Sequence, residues 1–171
     1  EAGDARYEQV RATADALLAS TLPDVTVTLV GPWGDLPDGR RSPLDDPWLD
    51  LRLLRYTYEH EPRVRLAEAV PPDGFPAMFR LTCPPGWTPA PDTLDRLVAA
   101  SNKHAWGVAC LALAETPETV ITARLERTAA VTRARHLRAP GEDLDDVIDQ
   151  VFGVHWLDGE SYGFTWRGDP A

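Results

Sequence analysis

Five carboxylates crowd into GEDLDDVID, Gly141–Asp149: Glu142, Asp143, Asp145, Asp146 and Asp149. Three chemistries suit such a cluster. It can hold a hard cation, act as a base on a substrate, or cap a helix and face water. A calcium loop needs alternating oxygen ligands and a Gly at its sharp turn, and Leu144 and Val147 interrupt that pattern. Those two residues belong to an apolar stripe, Leu144, Val147, Ile148 and Val151, at the i, i+3, i+4, i+7 spacing of a helix. At about 100° per residue, Glu142, Asp146 and Asp149 point away from the stripe, and Asp143 and Asp145 lie on its borders. Acids in a first turn offset the helix dipole, so a capped, solvated helix start accounts for most of the cluster. Asp143 is the exception to follow: a first-turn residue at the edge of the stripe is held rigidly and can look into a cleft beside a sheet.

Other chemistry-bearing residues are sparse. Arg124, Arg127, Arg133, Arg135 and Arg138 form a basic stretch just before the acids, suited to pairing with them and with a helix C-terminus. Trp33, Trp48, Trp87 and Trp106 fall near predicted loops or strand ends, where an indole serves either as core or as a stacking surface. Ser161, in DGESYGF, has no base pattern near it. The glycines form no phosphate-cradling GxGxxG. His60, His104, His136 and His155 are scattered, without zinc spacing. Cys83 and Cys110 sit in apolar runs and read as buried, reduced thiols. Lys103 is the only lysine, in a polar stretch.

The elements that must position these residues follow from periodicity. Apolar residues at Val10, Ala14, Leu17 and Leu18 give a helix over Ala5–Ser20, ended by Pro23. VTVTLV, Val25–Val30, is a buried strand, closed by a turn-rich loop in which Asp35 and Asp38 read as turn residues. Asp46 and Pro47 read as cap and first residue of a helix running to about His60. RVRLAEAV and AMFRLTC are further strands, and a helix carries Leu94, Leu97 and Val98 on one face. WGVACLALA and TVITARL make a hairpin around Thr116 and Pro117. Two helices, ERTAAVTRARHL and DLDDVIDQVF, come next, and residues 154–171 form an edge-strand or tail segment. Val25–Val30, Val64–Ala69, Met78–Cys83 and Val108–Leu113 are expected in one sheet. The fold class is α/β.

At 171 residues, with 43% apolar and 26% charged content, this is a single soluble-type domain. The net charge of −10 argues against nucleic acid and anionic membranes as partners. No apolar run reaches the roughly 18 residues of a membrane span, and no signal peptide is recognisable, so the expected location is the cytoplasm. The chain opens on Glu1 in what already reads as helix, and is expected to be a fragment of a longer protein.

The order of several phrases resembles the family 2 glycosyltransferases, which move a sugar from a nucleotide-sugar donor to an acceptor hydroxyl. They are LLASTLPDVTVTLV (Leu17–Val30), YEHEPRVRLAEA (Tyr58–Ala69), PAPDTLDRLVAA (Pro89–Ala100) and LERTAAVTRARHLRAPGEDLDDVIDQVFG (Leu125–Gly153). The resemblance implies a shortened GT-A-like (nucleotide-diphospho-sugar transferase-like) domain with a mixed, mostly parallel sheet flanked by helices. It implies a nucleotide-sugar or carbohydrate ligand. Asp143, paired with Glu142, matches the motif that opens a helix beside the acceptor and supplies a general base. A positioned carboxylate suits that role, because a sugar hydroxyl is a poor nucleophile until its proton is taken. The resemblance also leaves a non-catalytic binding or assembly module open. The family's first strand has no counterpart ahead of Glu1, and contacts with that N-terminal part, or a homo-oligomer, are expected.

Where the family carries an Asp-x-Asp motif for a divalent metal, Phe79–Gly86 read FRLTCPPG, without a carboxylate. No metal cofactor is therefore expected in this chain, and Arg135 or Arg138 is the candidate to receive a donor diphosphate, with Trp33 as a further substrate-binding candidate. Calorimetric titration with Mn²⁺ and a nucleoside diphosphate should show no binding at that strand end. Tight binding that disappears on changing Thr82 would show the metal motif to be misplaced.

Overall fold

A computed structural model describes residues 6–37, 39, 42–43, 45–72, 74 and 76–167. Asp38 and Ala5 lie outside them. The first unit is a βαβ crossover with an extra helix. Helix α1 (Tyr7–Leu18) is followed by strand β1 (Val27–Val30), a 3₁₀ turn (Trp33–Asp35), helix α2 (Leu49–Tyr58) and strand β2 (Val64–Ala67). β1 and β2 pair in parallel, from Val27 opposite Val64 to Val30 opposite Ala67. Val27 and Leu29 point to one face, where they are buried with Val10 and Ala14 of α1 and Leu51, Leu54 and Tyr58 of α2. α2 starts later than its sequence suggests. The Asp46 carboxylate accepts from Trp48 N and pairs with Arg52, so a local turn takes up the cap and Pro47 stays ahead of the helix.

The second unit holds most of the sheet. Strand β3 (Phe79–Thr82), β4 (Trp87–Thr88), helix α3 (Thr93–His104), β5 (Val108–Glu115), β6 (Val120–Arg127), helices α4 (Thr128–Leu137) and α5 (Leu144–Phe152), β7 (Val154–Asp158) and β8 (Thr165–Trp166) follow in turn. The main sheet has the order β3-β6-β5-β7, and β4 pairs with β8 apart from it. The β5–β6 hairpin forms around Thr116 as its sequence indicates, with Thr116 N donating to Thr119 O. The VACL run is continuous because both faces of β5 are covered. Ala109 and Leu111 pack with Leu97 of α3 and Phe164, while Val108 and Cys110 pack with Val131, Ala134, Val147 and Ile148 of α4 and α5. Gly107 admits the close approach of α5, since a Cβ there would meet Phe152 Cβ at 2.4 Å.

Two sheet expectations are corrected. The four runs expected in one sheet are divided between the β1–β2 pair and the four-stranded sheet. Within the larger sheet β6 enters between β3 and β5, because the hairpin's second strand has an antiparallel partner on each side. Of the five strand pairings among the described residues, two are parallel and three antiparallel, so the sheets are mixed rather than mostly parallel. Among the described residues, no helix is long and apolar enough to cross a membrane.

α1 links the two units. Gly86 N donates to Gln9 O and to Thr13 Oγ1, Thr13 Oγ1 donates to Trp87 O, and Thr21 N donates to Pro91 O. Gly86 has φ +86°, a left-handed conformation that glycine adopts without strain. Leu97 of α3 is fully buried against β5 and β6. Leu97→Ala should cost about 2–5 kcal/mol through lost transfer energy and the cavity left behind. Urea unfolding at unchanged m-value checks it.

Candidate functional site

The acidic cluster is built from the α4–α5 turn upward. Gly141, at φ +90°, reverses the chain. Glu142 Oε2 then accepts from Ala139 N at 2.8 Å, and Asp143 Oδ1 accepts from Asp145 N at 2.8 Å. Asp143 is thus the N-cap of α5, one place ahead of the first turn in which the sequence put it. Asp145 Oδ1 takes Arg124 Nη2 at 2.6 Å, Asp149 Oδ1 accepts from Val154 N, and Asp146 faces water. Val147 and Ile148 are buried and Leu144 half-buried, but Val151 is 47% exposed. Phe152, four residues after Ile148, takes the inward place expected for Val151.

Under this helix start lies one face of the main sheet. Strand register places Thr82, Arg124, Cys110 and Trp156 in one row across β3, β6, β5 and β7. Arg124 bridges Asp145 to Glu126 at 2.9 Å, and Glu126 Oε2 also takes Arg80 at 2.6 Å, so two arginines and two acids run from β3 to α5. Burial alone would lower the Arg124 pKa. The hydrogen bonds and charges of Asp145 and Glu126 outweigh it and hold the guanidinium above its ordinary value. Burial pushes the Cys110 thiol up, against the opposing pull of Arg124. It also pushes the Cys83 thiol up to about 12, and both cysteines are free thiols, not primed as thiolates. Trp156 ends the row on the edge strand, 62% exposed.

The remaining expected site residues are placed less favourably. Trp33 is corrected: it is buried in the α1–α2 core, its indole N–H donating to Leu29 O at 3.0 Å, so it presents no ring to a sugar. Its strand-end position looked like a loop, but the 3₁₀ turn folds the ring back onto β1. Arg135 and Arg138 are exposed at the end of α4. Arg135 borders a shallow, open depression shared with Arg80, Glu126, Thr128 and Thr132, and Glu142, Asp143 and Arg138 lie outside that lining. Among the described residues no ion pair joins Arg135 or Arg138 to Glu142 or Asp143. Ser161 N and Oγ both donate to Asp158, holding that carboxyl below its usual range. His104 and His155 both stack on Trp106, at 5.3 and 5.2 Å between ring centroids.

Sequence reasoning missed Arg80, Glu126 and Trp156. The alternation in ARLER, Ala123–Arg127, was the available signal, because period two puts Arg124 and Glu126 on one face of a strand. Among the described residues no group of three or more His, Cys, Asp and Glu is placed to share a metal ion. No protein-family model matches the chain, and no curated protein does.

The charge row makes an unequal pair of predictions. Glu126 has a 14% exposed side chain between two arginines, whereas Asp145 is 61% exposed. Glu126→Gln should cost about 1.5–3 kcal/mol, the scale of hydrogen bonds to charged groups. Asp145→Asn should stay within about 1 kcal/mol, as exposed pairs do. Denaturant melts of both variants, with and without 0.5 M salt, which shortens the Debye length to about 4 Å, test the contrast.

Proposed function

We propose that this chain is a glycosyltransferase-like domain that contributes the acceptor side of a sugar-transfer site, in a protein using a nucleotide-sugar donor. The observation that carries the reading is the setting of Asp143. Its backbone is fixed at a helix start, Oδ1 is committed to the cap, and the side chain is open to solvent. A carboxylate held in this way can take a proton from an acceptor hydroxyl through Oδ2 without moving. Trp156, exposed in the same row as Arg124, offers an apolar ring on which an acceptor sugar can stack. Arg135 and Arg138, exposed and without ion-pair partners among the described residues, are the candidates for a donor diphosphate.

A second reading, a binding or assembly module without catalysis, has its own support. Glu142 and Asp143 both serve the local turn, and Phe79–Cys83 carries no carboxylate. Asp143→Asn separates the two readings, because asparagine caps a helix about as well as aspartate but cannot accept the proton. Under the transferase reading, nucleoside diphosphate release from a panel of nucleotide-sugars falls about 10²–10⁴-fold. The melting temperature should move little, because only a charge–dipole contribution of roughly 0.3–1 kcal/mol is removed. Undiminished transfer by the variant would remove Asp143 from the site, and absence of transfer by the unaltered protein would favour the module.

A further inference from the structure

Among the described residues β7 pairs with β5 alone and stands at one end of the main sheet, so one of its edges has no partner strand. Two hydrogen bonds show which backbone groups lie on that edge. Gly159 N donates to Ala112 O of β5, so by alternation His155 and Leu157 also address β5. The N–H and C=O groups of Val154, Trp156 and Asp158 then point outward. Val154 N agrees with this, because it donates to the Asp149 carboxylate of α5 and not to β5.

The side chains along this edge are unusual for an unpaired strand. Natural edges are blunted by Lys, Pro, a bulge or a covering element. β7 has neither Lys nor Pro, keeps an unbroken register with β5 and carries Trp156 at its centre, 62% exposed. An apolar flank of α5 faces the same side. Asp145 reaches Arg124 on β6, to one side of β5, so the opposite flank of α5 is turned toward β7. At about 100° per residue Val147 and Val151 occupy that flank, and Val151 is partly exposed.

Charge of one sign frames the indole. Asp149 is held at the Val154 end of the edge by its hydrogen bond, and Asp158 ends β7 on the same face as Trp156. Neither acid has an ion-pair partner among the described residues. The chain has no Lys or Arg between Arg138 and Arg167. Arg96 of α3 reaches the turn after β7, donating to Ser161 O, but its ion pair is with Asp92.

We propose that the free edge of β7 takes a short extended segment of a cationic partner polypeptide, with an apolar residue beside Trp156 and Lys or Arg two places to either side of it. The outward N–H and C=O groups of Trp156 and Asp158 supply main-chain hydrogen bonds to the added strand. Alternation puts its apolar and two cationic side chains on the α5 face, against Trp156, Asp149 and Asp158. The ends of β7 lie about 13 Å apart at the rise of a strand, which matches that spacing. A second copy of this chain fits less well. Two-fold pairing centred on Trp156 would set Asp158 of each copy opposite Val154 of the other, beside Asp149, and like charges would meet. The inference rests on the edge and its charges, independently of the sugar-transfer reading, and the segment and an acceptor sugar would compete for the Trp156 ring.

The test titrates the 171-residue chain with the capped peptide Lys-Thr-Val-Thr-Lys and follows backbone amides by NMR, which registers weak binding. Saturable binding should shift the Trp156 and Asp158 amides and slow their exchange about tenfold or more. The affinity should fall several-fold in 0.5 M salt, because the acids are exposed. A peptide with Glu in place of Lys, and a fully N-methylated Lys peptide without main-chain donors, should not bind. Trp156→Lys, which adds the charge that blunts natural edges, should abolish the shifts and leave the thermal melt nearly unchanged. Absence of saturable binding overturns the proposal, as does equal binding by the N-methylated peptide or undiminished binding by Trp156→Lys. A dimer in sedimentation that Trp156→Lys dissociates also overturns it, since the edge would then belong to a second copy.

Discussion

The burial of β5 on both faces is the constraint from which the larger unit follows. Val108, Ala109, Cys110 and Leu111 are buried in succession, so side chains of opposite direction all leave water. A strand of that kind needs a layer on each side. α3, with the β4–β8 segment, supplies one through Leu97 and Phe164, and α4 with α5 supplies the other through Val131, Ala134, Val147 and Ile148. The lateral neighbours β6 and β7 satisfy the backbone of β5 and carry the charge row and the exposed tryptophan. The position of every candidate residue on α5 is thus set by how α5 covers Val108 and Cys110. The cap at Asp143 and the close packing at Gly107 decide where along the sheet that cover begins and ends.

The charge row resolves a conflict within that arrangement. β6 must place Arg124 and Glu126 on the same face as Cys110, which α4 and α5 partly cover, and an unpaired charge there would be costly. Arg124 and Glu126 pair with each other, and two sequence-distant groups complete the network: Arg80 from β3 and Asp145 from α5. Such a partly buried network adds little net energy over an apolar alternative, but it penalises a wrong register. Shifting β6 by one residue would turn Arg124 and Glu126 into the Leu97–Leu111 core. The network therefore fixes the strand register more than it strengthens the fold. It also ties the first turn of α5, and hence Asp143, to a rigid sheet.

What could be read from the sequence was what is local. The periodicity of Leu144, Val147 and Ile148 marked α5, and the Thr116–Pro117 break marked the hairpin, because neighbours along the chain determine both. Strand order is different. Nothing in TVITARL says that its second edge will take β3, and the short apolar runs that mark Val25–Val30 and Met78–Cys83 as strands do not say which sheet each joins. The same limit explains Trp33: its place after a strand is visible, while the 3₁₀ turn that carries its indole back to Leu29 O depends on tertiary packing. Arg80 and Glu126, 46 residues apart, are legible as a pair only once the β3–β6 register is known. Asp143 and Glu142 were visible as a helix start because capping is a short-range property. Their chemistry is not local, since a base requires a substrate surface that other elements must provide.

The division between the two units bears directly on that surface. The α1–α2 core and the main-sheet cores share few side chains, and α1 is the element that holds both, through Thr13 on one side and Val10 and Ala14 on the other. α1 thus carries the position of the β1–β2 pair to Gly86 and Trp87, and through Trp87 to the core around Leu97. The helix that Asp143 caps packs on the other face of β5, against Val108 and Cys110, and Trp156 stands on the strand paired with β5. Both therefore take their positions from β5, and α1 reaches them only through the sheet that β5 anchors.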